Sequence, residues 1–227
     1  MNVSMNTPTK RSRGGRADVA VVGGGVVGAA CALALAQQDL HVVLIEAQEA
    51  APWSADAPDL RVYAFAPDNA ALLDTIGAWP AIREARAHPY TRMRVWDAAS
   101  DDELRFDADD FAVTQLGWIV ENALLQDRLW ASLRRSGVTL RCPARVEAFE
   151  QDESGVALTL DDGLRVEANI AIAADGGASK LRELAGIAVK RHDYGQSGVV
   201  AFVATERPHE NTAWQRFLPT GPLAFLP

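Results

Sequence analysis

The chain has 227 residues, 48% hydrophobic and 23% charged, a globular mix able to bury roughly 70% of the unfolded chain's surface without a metal or disulfide staple. That composition excludes a disordered or collagenous chain. Four of its 22 bases, Lys10, Arg11, Arg13 and Arg16, lie in an acid-free leader, leaving 18 bases against 30 acids, a balance that argues against a nucleic-acid partner.

Residues 1–16 read as a disordered basic tail, because the leader has neither the apolar run of a secretory signal nor the apolar face of an organelle presequence. From Asp18 the pattern becomes a buried strand to Val22, a glycine turn, an alanine-rich helix from about Val26 to Gln38 and a second strand from His41 to Ala47, which is one βαβ unit. Apolar runs without alternation suit strands covered on both faces of a parallel sheet. A Pro-, Ala- and Asp-rich loop (Ala51 to Asp59) leads to a helix capped by Asp68 and ended near Gly77. Met93, Val95, Leu104 and Phe106 alternate around an acidic turn, as in a hairpin of a second lobe. Asn122 is a fit cap for a helix with Leu125, Leu129 and Leu133 along one face and Gly137 at its exit. Strands follow at Val138 to Cys142, Arg145 to Glu150, Val156 to Leu160, Leu164 to Glu167 and Ile170 to Ala174, with Asp162-Gly163 as a tight turn.

Gly23-x-Gly25-x-x-Gly28 lies between the first strand and helix, the context in which this spacing signals a dinucleotide site. Gly23 permits the sharp turn, Gly25 lets backbone approach a pyrophosphate, and Gly28 lets the helix lie close to the strand. Free N–H groups at the helix start then meet phosphate charge. Glu46 ends the second strand, where a carboxylate accepts hydrogen bonds from an adenosine ribose and repels a 2′-phosphate, favouring FAD or NAD over NADP. The competing explanation is a tight turn packed by glycines beside a solvated glutamate.

Other reactive residues form no constellation. His41, His88, His192 and His209 lack ligand spacing, so no metal site is expected. The serines sit in no nucleophile-elbow pattern, the six tryptophans read as core and edge residues, and Asp107, Asp109 and Asp110 read as a solvated loop. Cys31 and Cys142 are too few for a disulfide framework, which points to a reducing, cytoplasmic compartment. No stretch approaches the ~20 apolar residues of a membrane span.

The glycine run Gly23 to Gly28, Glu46, Arg61, Trp118 to Asn122 and Ala174 to Arg182 together resemble the flavin-dependent aromatic hydroxylases. Met93-Arg94-Val95-Trp96-Asp97 and the closing run His209 to Pro227 narrow the resemblance to the ubiquinone-biosynthesis branch, the UbiH, UbiF and VisC type. It covers nearly everything after Ala17. It implies an α/β, glutathione-reductase-type, Rossmann-like FAD-binding domain with an inserted smaller β-rich substrate lobe: FAD-binding parts at 17–80 and 121–186, substrate-lobe parts at 81–120 and 187–227. The third cofactor motif and the C-terminal helices of the relatives are absent, so a fragment of a longer enzyme or a truncated product is expected, with an incomplete cofactor site.

The resemblance further implies FAD held with Gly23, Gly25 and Gly28 at the pyrophosphate and Glu46 at the adenosine ribose. Arg61 falls near the flavin's phosphates and ring, though it also reads as a solvated loop arginine. Asn122 occupies a position where relatives use Arg or Gln to reach the cofactor, and Val146 the adenine edge, where it also reads as a core strand residue. Asp175 and Gly176 match the second dinucleotide motif, implicated in handling the nicotinamide cofactor. The implied reaction is hydroxylation of a polyprenylated phenol or quinol ring, with NAD(P)H reducing the flavin and oxygen as oxidant. No catalytic acid or base can be named. A prenyl tail implies access from a membrane surface, hence peripheral association at the inner membrane, and a biosynthetic complex or homo-oligomer is compatible with it. The alternatives are a flavin oxidoreductase of different chemistry, such as an amine oxidase, and a non-catalytic FAD-binding remnant or scaffold component.

Overall fold

The computed structural model describes residues 15–100 and 102–227, so the tail expected over 1–16 lies outside the described residues as far as residue 14. The guanidinium of Arg16 donates to the carbonyls of Ser154 and Ala168, the latter at 3.1 Å.

The largest sheet among the described residues has six strands. Its parallel part consists of β8 (Thr139–Arg141), β2 (Val42–Ile45), β1 (Ala17–Val22) and the second half of β11 (Arg165–Ala173). The antiparallel part adds β10 (Gly155–Leu160) and β9 (Val146–Asp152). The apolar runs of β1 and β2 have the reason expected of a sheet covered on both sides. Val19, Val21, Val42 and Leu44 pack with α1 (Val26–Ala36) and α4 (Asn122–Arg135). Ala20, Val22, Val43 and Ile45 face Ala144, Val146, Leu158 and Leu181 on the other side.

Residues 165–173 form one strand, where two were expected within 164–174. Asn169 does not interrupt it, because β11 changes partners instead of turning: Arg165 to Ala168 pair antiparallel with β10, while Ala168 to Ala173 pair parallel with β1. The hairpin expected around 90–111 is present as β5 (Arg92–Asp97) and β6 (Glu103–Asp107). β12 (Thr212–Leu218) pairs in parallel with β5, and β13 (Gly221–Phe225) completes that sheet. A third sheet, not foreseen, sets β7 (Gly117–Glu121) between β3 (Val62–Phe65) and β4 (Ala87–Tyr90).

Two cap assignments change. In α2 (Pro67–Thr75), Pro67 fixes the helical start and Ala66 takes the cap position, leaving Asp68 within the first turn. Asn122 is the first helical residue of α4, not its cap: its N–H donates to the Arg61 carbonyl (2.9 Å) and its Oδ1 accepts from the Tyr63 hydroxyl (3.2 Å). A carboxylate from 64 residues earlier serves the helix end, as Asp59 Oδ2 accepts from Ala123 N at 3.0 Å. Cys31 and Cys142 are half-buried free thiols. Burial pushes both thiols up, and the negative charges of Glu46 and Glu49 add to the rise at Cys142.

Candidate functional site

The parallel strands β1, β2 and β11 end on the same side, and the loops leaving them enclose a cleft of about 1020 Å³. This is where open α/β sheets place ligands. The loop after β1 carries Gly23, Gly24 and Gly25 into α1. Gly23 has φ +104°, and a Cβ there would lie 2.3 Å from the Ala174 carbonyl oxygen, so conformation and space both require glycine. Gly28 lies behind the turn: a Cβ would sit 1.9 Å from the Gly23 oxygen. Gly25 differs from both. It takes the α1 cap position with φ −65° and ψ −176°, ordinary extended backbone, and among the described residues the only neighbour a Cβ would meet within 4 Å is Gln126 Nε2 at 4.0 Å. The fold does not demand glycine at position 25, and the space before it belongs to the cleft.

Glu46 follows β2 and turns back on the glycine loop. Its Oε2 accepts from Gly24 N at 2.5 Å and its Oε1 from Gln48 N at 3.0 Å. Each oxygen retains a further lone pair, so the carboxylate can still accept from a hydroxyl in the cleft. Asp175, at the end of β11, uses Oδ2 to accept from Leu181 N at 3.0 Å, while Oδ1 is buried without a partner. Burial raises the pKa of this carboxyl, but the Ser179 hydroxyl and the N–H groups of Leu181 and Lys180 outweigh it and hold the group below the usual aspartate range. It is therefore an ionised acceptor at the cleft wall, with its buried Oδ1 unsatisfied.

Gly23, Gly25, Glu46, Val146, Asp175 and Gly176 are thus brought together around one cleft. Arg61 and Asn122 are not part of its lining; they meet each other through the backbone, and Arg61 is exposed. Sequence reasoning missed Gln126, Trp130 and Lys180, which do line it. Gln126 stands one turn beyond Asn122, on the same face of α4; that i, i+4 relation was the available signal. Trp130 is buried, and its Nε1 donates to the Gly24 carbonyl at 2.8 Å.

An extended cofactor with hydroxyls and a diphosphate fits this donor set: open backbone amides at a helix start and the Glu46 carboxylate with accepting capacity to spare. The family described as FAD binding domain matches residues 16–221. The chain belongs to this family. As an FAD binding domain it is 40% identical over 212 residues to 3-demethoxyubiquinol 3-hydroxylase of Escherichia coli, covering 92% of this chain and 54% of that one. It is also 40% identical over 212 residues to ubiquinone hydroxylase UbiL of Rhodospirillum rubrum, covering 93% and 49%. The chain spans about half the length of these curated relatives. A structure of 2-methyl-3-hydroxypyridine-5-carboxylic acid oxygenase superposes with a TM-score of 0.68 at 20% identity, covering 94% of this chain and 56% of that one. The α/β, Rossmann-like fold expected from the resemblance is the fold found, and the resemblance to the ubiquinone-biosynthesis hydroxylases stands.

Proposed function

We propose that the cleft holds FAD and that the whole protein is an NAD(P)H-dependent monooxygenase that hydroxylates a polyprenylated phenol or quinol in ubiquinone biosynthesis. Family membership and the two bacterial relatives support the reaction class. The observation that carries the cofactor assignment is the Gly25 cradle, which is open where the fold alone would accept a side chain, in a cleft also lined by the Glu46 carboxylate with accepting capacity to spare.

In this reading the amides at the start of α1 take the diphosphate charge, and Glu46 accepts from the adenosine ribose. Val146 borders the adenine, and Asp175 stands at the cleft wall beside Gly176. Gln126 is added to the contacts, while Arg61 and Asn122 bear on the flavin side from outside the present lining. Bound FAD would supply two-electron chemistry with oxygen, drawing electrons from the nicotinamide co-substrate. The protein's part is to orient the cofactor and exclude water. No helix among the described residues is long and apolar enough to cross a membrane. A prenylated substrate calls for access from a membrane surface, and peripheral association there is part of the proposal.

The test is titration of the purified chain with FAD. Saturable 1:1 quenching of flavin fluorescence is expected. A flavin signal indifferent to the protein would overturn the assignment.

A further inference from the structure

Gly24 is held on both of its flanking peptides. Its N–H donates to Glu46 at the end of β2, and its carbonyl accepts from the indole of Trp130 on α4. Trp130 is 2% exposed, so the indole contact is made away from water, where an unmade hydrogen bond is costly. A Cβ on Gly24 would lie 2.8 Å from Trp130 Cζ2, so glycine at 24 is what lets the ring approach. In a trans peptide the carbonyl of one residue and the N–H of the next point in opposite directions. Holding the Gly24 carbonyl against α4 therefore turns the Gly25 N–H away from α4. That N–H finds no acceptor among the described residues, and Gly25 lines the cleft.

We infer that Trp130 is a positioning residue for the cofactor diphosphate: its indole N–H fixes the Gly24–Gly25 peptide plane so that the Gly25 amide is presented to a phosphate oxygen. The inference rests on the FAD assignment above. It separates Trp130 from its neighbours in the core, Leu129 and Leu133, which act only by packing. It also gives α4 a role in binding that reaches the glycine loop from a distant part of the chain.

The experiment compares the parent chain with Trp130→Phe, which keeps an aromatic ring and removes the N–H. Its ligands are FAD, ADP and adenosine, with binding followed by calorimetry or ligand-observed NMR. A second variant carries 3-benzothienylalanine at 130, a near-isosteric ring in which sulfur replaces the N–H, and covers the case in which phenylalanine underpacks the site and the protein does not fold. The expected result is an about 10-fold weaker Kd for FAD and ADP, the effect of one mispositioned hydrogen bond, with adenosine affinity unchanged. Equal weakening of all three ligands would reduce Trp130 to a packing residue, and unchanged FAD and ADP binding would remove its role altogether; either overturns the inference. Failure of the parent chain to bind FAD would instead overturn the cofactor assignment on which it rests.

Discussion

Gly28→Ala is expected to destabilise the fold by about 3 kcal/mol or more, because the added methyl has nowhere to go. Its Cβ would stand 1.9 Å from the Gly23 carbonyl oxygen, 3.0 Å from the Gly23 carbonyl carbon and 3.1 Å from the Ala174 Cβ. Two of the three obstacles are backbone, which cannot rotate aside. Alanine's better helix propensity returns at most about 1 kcal/mol, so the collision decides the sign. Relief requires α1 to lift from β1, opening the layer in which Ala29, Ala32 and Leu33 meet Val19 and Val21. At this chain length the loss corresponds to a fall in Tm of roughly 6 to 12 °C, measurable by circular dichroism. An unchanged Tm would mean that the helix does not lie this close to the strand.

The second large effect is expected at Glu121, a buried carboxylate outside the lining of the cleft. Its side chain is 8% exposed and pairs with Arg86 Nε at 2.8 Å. Its other oxygen accepts from Trp53 Nε1 at 3.2 Å and Asp59 N at 2.8 Å. Glu121→Ala leaves the Trp53 and Asp59 donors without an acceptor, which costs about 3 kcal/mol in all. Arg86 is 40% exposed and is resolvated once freed, so little of the loss is assigned to the ion pair. Asp59 in turn accepts from Arg61 N and Ala123 N, so the loop 51–61 and the start of α4 loosen together. Urea unfolding measures the loss, and limited proteolysis locates it in that loop. Glu121→Gln keeps one acceptor oxygen and is expected to recover about half of the stability. An alanine variant as stable as the parent would show that this network contributes nothing.

The part of the molecule that could be read from the sequence is the part whose physics is local. The βαβ unit announces itself through two apolar runs, a glycine spacing and an acid at a strand end, and the strand ends, Gly23, Gly25 and the acid stand around one cleft. Helix α4 is legible from its leucine repeat. What escaped depends on non-local pairing. β4 contains Pro89 and reads poorly as a strand, yet it is an edge of its sheet, where a missing N–H is tolerated. β12 pairs with β5 across more than a hundred intervening residues, a register no short pattern encodes. The cap of α4 comes from Asp59 in a loop that sequence reasoning treated only as a connection. Gln126 and Trp130 fell on a correctly expected helix, but the leucine stripe says which face is buried in the core and not which residues of that face look into the cleft.

On the proposed assignment, the glycine loop receives a phosphate-bearing cofactor as well as turning the chain. Gly25→Ala separates these, since alanine fits the backbone there and its methyl would meet open cleft. The measurement is FAD affinity alongside thermal stability for this one variant. The expected outcome is a Tm close to that of the parent and FAD binding weakened roughly 10- to 100-fold, as a methyl group obstructs the approach of the diphosphate. A Gly25→Ala chain that folds normally and binds FAD as tightly as its parent would contradict the claim.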